Sequence, residues 1–298
     1  MLRPRWRKVL ADLWGNKART LLVVASIAVG VFAIGVITGT YAILAEDLNT
    51  SYASTNPANI SLLTTPFDLD FVDAISRMHG IADAEGRRQV TVRLQTGPDA
   101  WDTLTLVAIS DIGETRIHKL LPQQAAVIPA DQELILERNT LADLGAAVGD
   151  TLTIELQDGT LRQLPIAGSA LDQNDIYGII LGDKRGYVTF DTLDWLGQPA
   201  SLDRLYVTLA ERPNDQAHVR EVARQVTDRL ERSGRTVFQT RTASHDEHPL
   251  SSIIKALLLV LIIIGVLIDF LSGSLIANTL SALHNQHLRQ IGAMTLVG

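Results

Sequence analysis

Few residues in this sequence have types and spacing that could do chemistry. His245-Asp246-Glu247-His248 brings four metal-capable side chains together. The run sits just before Pro249, where a polar linker is the plainer account. Asp68, Asp70 and Asp73 could serve acid/base or metal chemistry. Carboxylates at a helix start answer the unpaired N–H groups and the helix dipole, and explain all three more simply. His284 and His287, three apart on a helix face, read as an exposed or interfacial pair. There is no cysteine, which removes disulfides, thiolate nucleophiles, Fe–S clusters and cysteine-type zinc sites. No G-x-x-x-x-G-K-[ST], G-x-S-x-G or H-E-x-x-H occurs, so the chain has no phosphate loop and no recognisable hydrolase motif. The expectation is a non-enzymatic chain with no catalytic, metal or cofactor-binding residues. Asn49-Thr50-Ser51 and Asn59-Ile60-Ser61 fit the short glycosylation pattern.

The elements that would carry any function are set by where the apolar residues fall. The 298 residues are 46% hydrophobic and only 5% aromatic. The apolar surplus is concentrated in two blocks. Residues 21–45 hold no charge, and at about 1.5 Å per residue span roughly 37 Å, enough to cross a bilayer. Residues 256–283 hold one charge, Asp269. The first block exceeds the apolar core of a cleaved signal peptide, about 7–15 residues. Both are expected to be transmembrane helices rather than core helices.

The flanks orient them. Arg3, Arg5, Arg7, Lys8, Lys17 and Arg19 precede the first block, and Glu46 and Asp47 follow it. The positive-inside rule places the N-terminus in the cytoplasm and residues 46–250 outside. That segment carries 18 Lys and Arg against 31 Asp and Glu, a net −13, and the rest of the chain is +6. The overall −7 argues against nucleic-acid binding through phosphate neutralisation. Within residues 1–20, Trp6, Val9, Leu10, Leu13 and Trp14 recur at helical spacing, as in an interfacial amphipathic helix; a simple basic anchor fits equally. Gly35 and Gly39 form a G-x-x-x-G that would let helices approach closely, or are ordinary membrane glycines. Asp269, at a helix centre, would cost about 2.5–3.5 kcal/mol. It would face a partner helix or water, or stay hydrated near the interface.

The external segment alternates strand and helix. Strands are expected at Asn59–Leu63, Val90–Gln95, Thr103–Ile109, Thr151–Leu156, Leu161–Ile166, Tyr187–Phe190, Arg204–Leu209 and Thr236–Thr240. Gly97-Pro98-Asp99 and Asp158-Gly159 read as hairpin turns. Helices are expected from Asp68 or Asp70 to Met78, over Glu133–Leu144 and over Asp215–Arg232. The economical architecture is an extracytoplasmic α/β (α+β) core domain, about 57–110 and 202–241. It carries a β-rich insert at about 111–200.

Asp12-Leu13-Trp14-Gly15-Asn16-Lys17-Ala18-Arg19-Thr20-Leu21-Leu22, running into Ser26-Ile27-Ala28-Val29-Gly30-Val31, resembles the N-terminal approach of FtsX-like/MacB-like ABC transporter permeases. His248-Pro249-Leu250 leads a span ending Leu275-Ile276-Ala277-Asn278-Thr279-Leu280-Ser281-Ala282-Leu283. Arg289-Gln290-Ile291-Gly292-Ala293-Met294 is similar to that family's coupling segment, here within residues 284–298. The resemblance implies a mechanotransmission permease in the cell membrane. Its periplasmic core domain would follow the first helix, and it would pair with a second permease copy amid membrane lipid. A cytoplasmic ABC ATPase would bind and use the ATP. Arg289, Gln290, Ile291, Gly292 and Met294 would face that ATPase. Substrates in the family include lipids, lipoproteins, peptides and drugs. Thr295 stands where a basic residue is frequent, and Asp269 where an apolar or small one is usual. Members continue into two further helices, so a stop at Gly298 implies C-terminal truncation. The alternatives are a two-span sensor or adhesion protein with an acidic ligand-binding external domain, and a membrane-tethered hydrolase.

Overall fold

The computed structural model describes residues 17–109, 115–125, 129–175, 182–199, 201–268, 270–271 and 273–274. Contacts divide the chain into two units, Met1–Glu46 with Ser251–Gly298, and Asp47–Leu250. In chain order the elements are α1 (Lys17–Ser54), β1 (Ile60–Phe67), α2 (Leu69–Ser76), β2 (Ile81–Gln95), β3 (Trp101–Ala108), β4 (Leu121–Ala125) and β5 (Leu134–Glu137). Then follow α3 (Arg138–Asp143), β6 (Thr151–Glu155), β7 (Leu161–Leu171), β8 (Lys184–Val188), α4 (Phe190–Trp195), β9 (Leu202–Leu209), α5 (Gln216–Arg232) and β10 (Val237–Thr242). The last is α6 (Leu250–Ile268).

Among the described residues, α6 is the one helix long and apolar enough to cross a membrane. Leu257, Leu259, Leu261 and Ile263 all stand exposed, as suits an apolar surround. It starts earlier than expected, at Leu250. The first expected span lies within α1, a 38-residue helix with a short apolar stretch at Gly30–Gly39. Leu21, Val31 and Phe32 on it are exposed.

The Asp47–Leu250 unit is a mixed α/β domain rich in sheet. Its strands run β10-β1-β9-β2-β3-β8-β5-β7-β4, with β6 bridging β2 and β7. The 15-residue β2 serves two halves. Ile81–Arg87 pairs with β9, and Arg88–Gln95 pairs with β3. In the first half, α2 and α5 cover one sheet face. The Asp68 carboxylate accepts from the Phe71 N–H and starts α2; Asp215 caps α5. Val219, Val222, Ala223, Val226 and Leu230 form the apolar stripe of α5. The stripe belongs to the core that holds Ile60, Leu62, Leu205 and Val207. In the second half, β2, β3, β8, β5, β7 and β6 pair in a closed ring. Val92, Leu94, Leu106, Leu136, Ile154, Leu164 and Val188 belong to its core.

Most expected strands and both hairpins are present, the second with Gly159 at φ +83°, as its turn requires. Two expectations are corrected. Glu133–Leu144 is not one helix: Leu134–Glu137 is strand β5, and only Arg138–Asp143 is helical. All four β5 residues are buried, so the strand shows a continuous apolar run that periodicity cannot separate from a helix. The Glu137 carboxylate accepts from the Asn139 and Thr140 N–H groups and starts α3. Likewise Phe190 does not end a strand; Thr189 caps α4 there.

Gly86 is where β2 passes tightly under α2. A Cβ at this position would lie 2.4 Å from Leu202 Cδ1 and 3.0 Å from Val72 Cγ2. Gly86→Ala is expected to lower stability by about 1–3 kcal/mol, read by denaturant unfolding of the full chain in detergent.

Candidate functional site

The sheet face away from α2 and α5 is polar because alternate residues on successive strands are polar. Side chains on a strand alternate between faces, so positions i and i+2 share one. Five strands each contribute such a pair: Ser61 and Leu63, Arg87 and Gln89, Arg185 and Tyr187, Arg204 and Tyr206, Gln239 and Arg241. The register aligns them. Tyr206 stands opposite Ser61, and Ser61 opposite Arg241. Arg204 stands opposite both Leu63 and Arg87. Together with Tyr52, His118, Asp172, Asn174 and Asp175 they line a cavity of about 740 Å³.

Two ion clusters organise it. In the first, Asp172 Oδ2 accepts from the Tyr187 hydroxyl at 2.7 Å and lies 3.6 Å from Arg185 Nη1. Arg185 Nη2 is 2.9 Å from Asp175 Oδ1. Burial alone would raise the Asp172 pKa. The Arg185 charge and the Tyr187 hydroxyl outweigh it and hold the carboxyl below its ordinary value. Burial, with Asp172 beside it, pushes the Tyr187 phenol well up. In the second cluster, Arg87 Nε donates to Glu85 Oε1 at 2.9 Å. Arg87 Nη2 also donates to the Ile117 and His118 carbonyls. Glu85 Oε2 accepts from the Arg116 and Ile117 N–H groups. The Arg87 guanidinium lies 5.2 Å from the Tyr206 ring centroid, and the His118 ring packs on Tyr206 at 4.7 Å. Burial first, and the Arg87 charge second, lower the His118 pKa to about 3.

Both clusters join the ends of the domain. The turn 172–175 is gripped from two directions. Gln173 Nε2 donates to Ser51 Oγ on α1, and Asn174 Nδ2 to Thr55 Oγ1 at 3.3 Å. His248, 1% exposed, bonds the Gln173 carbonyl through Nε2 at 3.0 Å. The Leu250 N–H donates to His248 Nδ1 at 3.1 Å, which leaves the proton on Nε2. The His248 ring meets Tyr52 edge-on at 4.9 Å, and the His248 backbone N–H donates to Asn49 Oδ1. The Lys119 and His118 N–H groups bond the Thr55 and Asn56 carbonyls. The last turn of α1 and the approach to α6 therefore meet at the turn that bears Asp172 and Asp175.

Sequence-derived candidates fall elsewhere. Gly35 and Gly39 are exposed on α1, and a Cβ at either would meet nothing within 4 Å. Asp269, Arg289, Gln290, Ile291, Gly292 and Met294 lie outside the described residues, as do Trp6, Trp14, His284 and His287. No group of His, Asp and Glu suited to a metal occurs among the described residues. His245 Nδ1 bonds the Pro57 carbonyl and Asp246 accepts from Asn214, so that run does tie down the linker. Asn59, wholly buried, bonds the Pro213 carbonyl and the Leu209 N–H and is no glycosylation acceptor. The cavity residues come from separate elements and share no motif. The signal that could have found them is the recurrence of Arg, Tyr and Gln at alternate strand positions.

No family model matches the chain, and no curated protein matches it. Among solved structures it is similar to the periplasmic region of MacB from Actinobacillus actinomycetemcomitans. That match has a TM-score of 0.40 and 11% identity, over 66% of this chain and 91% of that one. It is also similar to the extracellular domain of the noncanonic ABC-type transporter YknZ from Gram-positive bacteria. There the TM-score is 0.40 and the identity 13%, over 60% and 99%.

Two outcomes follow from the clusters. Tyr187→Phe leaves a buried acceptor on Asp172 without its donor and should cost about 1–3 kcal/mol; Asp172→Ala, which strips a buried pair, should cost about 3 kcal/mol or more. Denaturant unfolding reads both. The second concerns pH. Unfolded His118 takes up a proton near pH 6.5, folded His118 only near 3. Acid therefore favours the unfolded chain, and the stability from neutral His118 is lost as pH falls below about 6.5. His118 contributes a slope of up to about 1.4 kcal/mol per pH unit, which His118→Phe should remove. His248, also shifted down by burial, leaves a residual slope in that variant.

Proposed function

We propose that this chain is a permease subunit of an ABC transporter of the mechanotransmission type. Its external domain would be moved by a separate cytoplasmic ATPase to export or extract a lipid, lipoprotein, peptide or drug. The observation that carries this reading is the junction at residues 172–175. The end of α1 and the approach to α6 bond the same turn, and that turn is tied by two carboxylates to β8. A displacement of either connecting segment would reach the barrel half through these hydrogen bonds and ion pairs.

Further support comes from the apolar α6 and from the ordered motifs at both ends of the sequence. In this reading two spans hold the chain in the cell membrane with its N-terminus in the cytoplasm, and Asp269 faces a partner helix or water. Gly35 and Gly39 admit a neighbouring helix, and two copies pair. Arg289, Gln290, Ile291, Gly292 and Met294 dock the ATPase, with Ile291 as an apolar knob in its groove.

The chain, affinity-purified from its native membrane, is expected to bring an ATP-binding subunit identifiable by mass spectrometry. Ile291→Asp, which puts a charge into an apolar contact, should cut that recovery tenfold or more, equivalent to at least about 1.4 kcal/mol. Recovery of no ATP-binding subunit with the wild-type chain would overturn the proposal.

A further inference from the structure

The cavity on the polar sheet face carries a charge pattern at odds with its surroundings. Residues 46–250 are strongly acidic, yet Arg87, Arg185, Arg204 and Arg241 line this cavity against two carboxylates, Asp172 and Asp175. Both carboxylates are committed to Arg185. Arg87 and Arg204 are directly opposed across β2 and β9, an arrangement of like charges that costs stability unless something lies between them. Glu85 pairs with Arg87 from its own strand, Asp203 pairs with Arg204 at 3.7 Å without a hydrogen bond, and Arg204 Nε donates to Gln89 Oε1 at 3.1 Å.

Two guanidinium donors are left over. Arg204 Nη1 and Arg185 Nε are buried and have no hydrogen-bond acceptor among the described residues. Buried donors without acceptors are rare, since each forfeits its hydration. Asn174 Oδ1, on the same cavity, likewise lacks a donor. An occupant that satisfies all three bears an oxyanion with a hydroxyl or amide beside it. The volume suits a small molecule, for which pockets run about 300–1,000 Å³. Tyr206 and Leu63 offer apolar surface for its body.

We infer that this cavity is a binding site for a small oxyanion-bearing ligand, a carboxylate or a phosphate. Arg204 and Arg185 supply the donors, and Arg241 stands exposed at the cavity. Binding would relieve the Arg87–Arg204 opposition and brace β2 against β9. It would also load the Asp172–Arg185 cluster that the turn 172–175 shares with α1 and His248.

Thermal unfolding of the full chain in detergent tests this, with inorganic phosphate, acetate and chloride compared at equal ionic strength. Phosphate or acetate is expected to raise Tm by about 2–4 °C over chloride, since a ligand that binds only the folded state stabilises it. Phosphate excess identifies a phosphate site, and acetate excess a carboxylate site. Generic salting-out by phosphate acts on every variant alike, so the difference between variants reads the site. Arg204→Gln should abolish the excess, and Arg224→Gln, 74% exposed on α5, should keep it. Arg241→Gln, on an exposed side chain, provides a second variant should Arg204→Gln fail to fold, and should at least halve the shift. No excess with either anion, or an equal excess in Arg204→Gln or Arg241→Gln, would overturn the inference. Binding needs no ATPase, so its failure would leave the transport reading standing, and recovery of an ATPase would not rescue it.

Discussion

Asp172, 3% exposed, shares the Arg185 guanidinium with Asp175 and accepts a hydrogen bond from the hydroxyl of a wholly buried Tyr187. Burying a carboxylate costs several kcal/mol, and the cost is offset only where its charge and lone pairs are all answered. That demand fixes several things at once. Arg185 and Tyr187 must lie two apart on β8, facing the same side. The turn 172–175 must follow β7 with both carboxylates turned inward. Once so held, the turn presents Gln173 and Asn174 to Ser51 and Thr55, and the Gln173 carbonyl to His248.

The two faces of the first sheet half show how one strand pattern does two jobs. Ile60, Leu62, Leu205 and Val207 turn toward the helices and form a conventional core. Ser61, Leu63, Arg204 and Tyr206, one step out of phase, build the cavity. A one-residue register slip on β9 would bury Arg204 under α5 and expose Leu205, so the core's apolar demand also holds the cavity residues in place.

Much of the fold was legible from local chemistry. Asp68 and Asp215 cap helices as helix-start carboxylates should, and Asp158-Gly159 closes its hairpin. Elements with no clear alternation were missed. Ile81–Arg87, the first half of β2, carries Ala84 and Gly86 on its inward face because α2 packs too closely for larger side chains. β5 is buried throughout and shows no period, and β4, an exposed edge with Pro122, shows little apolar character. The cavity was not legible, because its residues are separated in sequence and meet only through register. The two glycines and the coupling residues came from motifs, and motifs are local.

The turn 172–175 ties the end of α1 and the approach to α6 to strand β8. Peptide-resolved hydrogen exchange on the full chain in detergent, wild type against His248→Ala, tests this tie most directly. Faster exchange is expected in the turn and in β8 together, with α5 and β9 unchanged. Unaltered exchange in both the turn and β8 would contradict it.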